Sequence, residues 1–254
     1  MINNNPYNFF DKIICINLTT RKDRYESAKN EFNNLNIPNV EFYIANKSSN
    51  GGRYGCFESH INVIKKAYIQ GCDNILIFED DLRPSNYYNI SLLEDSIEFI
   101  KNNNFDIFYL GYMAFNKNYI TDNIIFTSSK NKNNIIQYNP CGTQSYCINK
   151  NGMIKILDNY EKYLGNEHYD TYLQNKNYFK NYCITPMLFE QHWCSPHDNS
   201  IHGLDEYIAR KYQCFFGDYL NYSSNISYYI YLYNKYKITL FIFIISILIL
   251  YFLQ

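Results

Sequence analysis

Short apolar runs in this chain alternate with stretches whose apolar residues recur every three or four positions. Lys12–Leu18 (K-I-I-C-I-N-L) predicts a first buried strand and Val40–Ala45 a second. Between them, Arg21–Leu35 places Tyr25, Ala28, Phe32 and Leu35 on one helical face. Thr19-Thr20 forms its N-cap region, and Asn36-Ile37-Pro38 ends it, since proline and the residue before it disfavour helix. Asn46–Gly52 reads as a polar loop. Tyr54–His60 then leads into a helix with Ile61, Ile64, Ala67 and Tyr68 on one side, and Ser59 and His60 are expected to begin it; Gly71 closes it. Ile75–Phe78 is a four-residue apolar strand that runs into Glu79, Asp80 and Asp81. Ile90–Lys101 follows as a helix carrying Leu93, Ile97 and Ile100, and Asp106–Gly111 as another strand. Strand and helix thus alternate from residue 12 to 111, the pattern of a parallel α/β sheet.

The second half is less regular. Strands are expected at Ile124–Phe126, Ile135–Tyr138, Gly142–Ile148 and Cys183–Phe189. Short helices are expected at Asn151–Tyr160 and from Glu167-His168-Tyr169-Asp170 onward. Ile238–Leu253 carries no charged residue. As a helix it would cover about 24 Å, slightly short of a ~30 Å hydrocarbon core. Tyr228, Tyr229, Tyr231, Tyr233 and Tyr236 precede it, with Lys235 and Lys237 at the boundary, a pattern like an interfacial aromatic belt with basic flanks. The expected organisation is a domain over residues 1–217, an aromatic segment over 218–237 and a C-terminal membrane-anchoring helix over 238–254. A buried core helix is the competing reading of the last segment.

Composition narrows the classes. At 254 residues the chain holds one substantial α/β domain or two small ones. A formal net charge of -1 gives no electrostatic footprint for nucleic acid. The eight cysteines include no C-x-x-C pair, so buried free thiols are expected and no zinc or redox motif. The N-terminus has neither a basic region nor an apolar core of the signal-peptide kind, so reduced cysteines and a cytosolic face of the membrane are expected.

The chemistry concentrates at the end of Ile75–Asp81. Strands of a parallel sheet present ligand-binding residues at their C-terminal ends. Three consecutive carboxylates there cost stability unless a cation offsets them, and a hard divalent metal prefers carboxylate oxygen. A solvated acidic turn is the alternative. The order of motifs extends this reading: I-N-L-x-x-R-x-x-R at Ile16–Arg24, G-C-x-x-S-H at Gly55–His60 and I-F-E-D-D at Ile77–Asp81. After these come F-Y-L-G at Phe108–Gly111, G-T-Q-S-Y-x-I at Gly142–Ile148, D-x-Y-L at Asp170–Leu173, and a late Gln191 with Ser200-Ile201.

Over about residues 12 to 205 this series resembles glycosyltransferase family 25, which includes lipooligosaccharide and procollagen galactosyltransferases. The resemblance implies a GT-A type, Rossmann-like nucleotide-sugar-binding fold. It also implies a UDP-sugar donor, a divalent metal (typically manganese, Mn2+) and inversion at the anomeric carbon. Carried over residue by residue, it assigns the metal to Asp81 first, with Glu79, and Asp80 or Glu79 to the donor's ribose. Asn17, Leu18, Arg21 and Arg24 are donor-site candidates, the arginines as partners of the diphosphate. Ser59 and His60 are candidates on an expected helix N-terminus. Asp170 is the candidate base for the acceptor hydroxyl, with a helix-start carboxylate as the alternative. His202 is the candidate late metal ligand, with His192 and His197 as competitors. Glu58 departs from the small or apolar residue usual in the family, and a C-terminal membrane tail is not a usual family feature. The expected function is transfer of galactose or glucose from UDP to a glycan or to hydroxylysine. The competing class is a catalytically inactive, membrane-anchored binding or scaffold protein on the same fold. A metal-dependent phosphodiesterase would use the same carboxylates but usually brings a denser His/Asp set.

Overall fold

Apolar runs and amphipathic helices resolve into one sheet covered on both faces. The structure, a computed structural model, describes residues 5–114, 134–175, 177–192, 224–233 and 235–236. Its strands are β1 (Lys12–Leu18), β2 (Val40–Ala45), β3 (Asn74–Glu79), β4 (Leu82–Pro84), β5 (Ile107–Met113), β6 (Ile135–Gln137), β7 (Cys141–Asn149), β8 (Asn181–Ile184) and β9 (Phe189–Gln191). They pair in the order β2-β1-β3-β7-β5-β8-β6, with β9 beside β5 and β4 paired to β9. β1, β2, β3, β5, β8 and β9 run one way, and β4, β6 and β7 run against them.

The sheet is therefore mixed. β3 and β5 do not touch: β7 lies between them, antiparallel to both. The strand-helix alternation of the first half could not show this, because β7 is supplied from about thirty residues beyond β5.

Alternation along β3 divides the core. Ile75 and Ile77 face α2 (Gly52–Ile69), α4 (Lys150–Asn159) and α5 (Tyr169–Leu173), against Phe57, Ile61, Ile64, Met153 and Tyr172. Leu76 and Phe78 face α1 (Lys22–Asn34) and α3 (Ile90–Asn102), against Phe32, Leu93, Ile97 and Phe99. All four β3 side chains are fully buried, each contributing about 1.5–3 kcal/mol. Gly111 lets β5 approach β9, since a Cβ there would lie 2.6 Å from the Phe189 carbonyl oxygen.

Cys183–Phe189 is not one strand. Thr185-Pro186 interrupts it, and proline offers no N–H to a ladder, so the chain leaves β8 and re-enters the sheet as β9. Residues 224–233 are helical and pack on the domain. Ser227 Oγ accepts from the Met187 N–H at 3.0 Å and Tyr228 stacks on Tyr87 at 4.3 Å, while Tyr229, Tyr233 and Tyr236 stay exposed. Among the described residues no helix is long and apolar enough to cross a membrane. The apolar run at 238–254 and the expected strand Ile124–Phe126 lie outside the described residues.

Candidate active site

The C-terminal ends of β1 and β3 lie side by side, with Ile16 opposite Glu79. That register sets Asn17 against the acidic run. Its buried amide donates to Asp80 Oδ2 at 2.7 Å and to the Arg21 carbonyl at 3.1 Å. Arg24, one turn into α1, donates from Nη1 to Asp80 Oδ1 and Asp81 Oδ2, each at 3.0 Å. Gln191, at the end of β9, donates to the same Asp81 Oδ2 at 2.8 Å, and the His192 N–H donates to the Asp81 carbonyl at 2.6 Å.

Asp81 nevertheless keeps a buried oxygen, Oδ1, without a hydrogen-bond partner. Burial chiefly, with Glu79 and Asp80 adding repulsion against the opposing Arg24, pushes its carboxyl up to about 7. Burial likewise raises Asp80, partly offset by Arg24 and Asn17. An unpaired buried acceptor is costly, and a hard cation is the partner such an oxygen takes. Asp81 therefore fits a divalent metal.

Glu79 points the other way. Thr143 Oγ1 donates to its Oε1 at 2.5 Å, and His60 Nε2 lies 3.4 Å from the same oxygen. Burial works against its charge, but the hydrogen bonds from His60 and Thr143 outweigh it and hold the carboxyl below its ordinary value. His60 is itself fixed. Its Nδ1 is 2.9 Å from the Tyr146 hydroxyl, which is 3.1 Å from the Tyr169 hydroxyl, and the Tyr169 ring stacks on the imidazole at 4.3 Å.

Tyr169 opens α5, and the next residue is Asp170. Its Oδ2 accepts from the Gly142 N–H at 3.1 Å and its Oδ1 from the Thr171 N–H at 2.8 Å. Gly142 sits at φ +83, a left-handed conformation that favours glycine, where β7 enters the site. Glu79, Asp170 and Gln191, with Thr143, Cys56 and His168, line one cavity of about 190 Å3.

The structure thus brings Asn17, Arg24, Glu79, Asp80 and Asp81 together, and Asp170 lines the same cavity as Glu79. Leu18 lies at the same strand end and is 40% exposed. Arg21 makes a bidentate pair with Asp23 at 3.0 and 2.9 Å. Ser59 and His60 do not begin a helix. The helix starts at Gly52 after Gly51 at φ +95, so both sit in its interior, where backbone N–H groups are already used. Ser59 is buried and donates to the Gly55 carbonyl at 2.6 Å. His202, His197 and Ser200 lie outside the described residues. The sequence alone assigns no role to Thr143, Tyr146 or Tyr169. The G-T-Q-S-Y motif carries the signal for two of them, a hydroxyl and a phenol three residues apart on one strand.

A family model described as glycosyltransferase family 25 (LPS biosynthesis protein) matches residues 44–173. No curated protein matches. Among solved structures, A197 from STIV is 13% identical, covering 68% of this chain and 83% of that one at a TM-score of 0.40. A glycosyltransferase involved in the glycosylation of the major capsid of PBCV-1 is 9% identical, covering 79% and 99% at a TM-score of 0.41. A nucleoside-diphosphate-sugar pyrophosphorylase from Vibrio cholerae RC9 is 13% identical, covering 82% and 84% at 0.37.

Proposed function

The chain belongs to glycosyltransferase family 25, and from that premise we propose that it is a metal-dependent, inverting hexosyltransferase of GT-A type, using a UDP-sugar and a glycan or hydroxylysine acceptor. The observation that carries the reading is the pairing of two unlike carboxyl sites near one cavity. Asp81 keeps a buried, unpartnered oxygen, and Asp170 faces the cavity with both oxygens oriented by backbone N–H groups.

Asp81 would hold the cation, manganese being the family's usual metal, while Glu79 stands on the α2 side of the strand end with Thr143 and His60. Bound there, it supplies charge compensation to the departing diphosphate. Arg24 holds Asp80 and Asp81 in place, and Asn17 ties Asp80 to the end of β1, the expected side of the nucleoside. Asp170 takes the acceptor hydroxyl proton as the oxygen attacks the anomeric carbon and the bond to the UDP oxygen breaks. Gly142 and Thr171 hold that carboxylate so that its remaining lone pairs face the cavity.

UDP release from a panel of UDP-sugars, with and without manganese, tests the reading on the full chain. Metal-dependent turnover of one donor is expected, falling by about 10²–10⁴-fold in Asp170→Asn. Silence across the panel, together with no UDP binding, would overturn it and leave the scaffold reading.

A further inference from the structure

The cysteine spacings contain no metal motif, yet the fold assembles a mixed ligand set. Cys56 and His60 are four residues apart on α2 and so share one face, as paired ligands on a helix do. β3 brings Glu79 to that face. The Sγ, imidazole nitrogen and carboxylate oxygen of these three residues all lie within 4.8 Å of one another. We propose that Cys56, His60 and Glu79 form a second cation site, for a thiophilic divalent metal of the zinc class.

Four observations carry this. The donor set is sulfur, imidazole and carboxylate, which suits zinc or cobalt better than the oxygen-seeking cations suited to Asp81. Zinc bonds of about 2.0–2.3 Å separate tetrahedral ligand atoms by roughly 3.2–3.8 Å. His60 Nε2 and Glu79 Oε1 already stand 3.4 Å apart, inside that range, and the Cys56 sulfur lies within 4.8 Å of both donors.

The outer shell is also in place. Tyr146 OH sits 2.9 Å from His60 Nδ1 and can accept a hydrogen bond from Nδ1–H, leaving Nε2 as the ligating nitrogen, while it donates onward to Tyr169. Without a cation the same hydroxyl can donate to Nδ1, and Nε2–H faces Glu79. One phenol thus serves both tautomers.

There is also an entry path and an open position. Cys56 is exposed, unlike Cys15, Cys72, Cys147 and Cys183, which are buried. Cys56 and Glu79 line the cavity of about 190 Å3, from which a water or an added ligand can fill the fourth position.

Binding at this site does not depend on the transferase reading, so the test reads binding alone. Cobalt(II) titrated into the full chain is expected to give a thiolate-to-cobalt charge-transfer absorption that saturates at one equivalent and is lost on adding one equivalent of zinc. Cys56→Ser, a single-atom change at an exposed side chain, is expected to abolish that absorption with an unchanged circular dichroism spectrum. His60→Gln is expected to weaken cobalt binding by at least tenfold. No charge-transfer band in the parent chain would overturn the proposal. So would a band that persists at full strength in Cys56→Ser.

Discussion

The two sides of the acidic end of β3 use the same functional group, a carboxylate, to opposite effect. On the α2 side, Glu79 is surrounded by donors, and His60 and Thr143 keep its charge despite burial. On the α1 side, Asp80 and Asp81 share one guanidinium, and burial pushes Asp81 toward neutrality near pH 7 with one oxygen unpartnered. Burial alone does not decide which carboxylate is left short of partners. The number of donors left over decides it. Glu79 is held by its donors, and Asp81 keeps one oxygen without a donor.

Removing the under-partnered carboxylate breaks the comparison most severely. Asp81→Asn keeps the shape and loses the charge, and metal-dependent turnover should fall by about 10²–10³-fold, as for other groups that offset developing charge. A fall of less than threefold in steady-state assays would move the metal elsewhere.

Arg24→Met tests the shared cation next. It leaves Asp80 and Asp81 facing each other in a half-closed site, and urea unfolding should show a loss of about 3 kcal/mol. Added manganese should recover part of it. Unchanged stability would mean that Arg24 does not hold the two carboxylates.

His60→Gln tests the positioned side. Losing the ring that faces Glu79 and stacks on Tyr169 should lower turnover by about 10–100-fold. Thr143→Val should act in the same direction with a smaller effect, because His60 remains. The pair measured together would show whether the two donors act as a unit.

The smallest effect is on stability against pH, and the two sides have opposite signs. Asp81 binds its proton more tightly folded than unfolded, where its ordinary value is 3.8. Its contribution to stability therefore falls as pH rises from about 4 to about 7 and is flat above that. Glu79 is depressed in the fold, so its contribution is present above the ordinary carboxylate range and lost as pH falls through it. Thermal unfolding of Asp81→Asn in metal-free buffer should lose the decline between pH 4 and 7 while keeping the acid limb. A parallel shift at every pH would contradict the assignment.

The acidic end was legible because β3 is a continuous apolar run that stops at Glu79, and β1 and β2 have the same plain form. α3 was legible from Leu93, Ile97 and Ile100 on one face. What the sequence hid was non-local. Nothing local says that β7 slips between β3 and β5, yet that placement brings Thr143 to Glu79 and Gly142 to Asp170. Three-residue strands such as β4 are too short for any periodicity to appear. The start of α2 is not legible locally: Ser59 has the chemistry of an N-cap, whereas the turn into the helix is made by Gly51 in the left-handed region. The Cys56 and His60 pair was visible as a spacing, but its third member lies on a different element.

The most direct test of the central claim is calorimetric UDP binding with and without manganese, to the parent chain and to Asp81→Asn. The account predicts manganese-dependent binding in the parent chain and at least a tenfold weaker metal requirement-linked affinity in Asp81→Asn. UDP binding that ignores manganese, or that Asp81→Asn leaves intact, would contradict it.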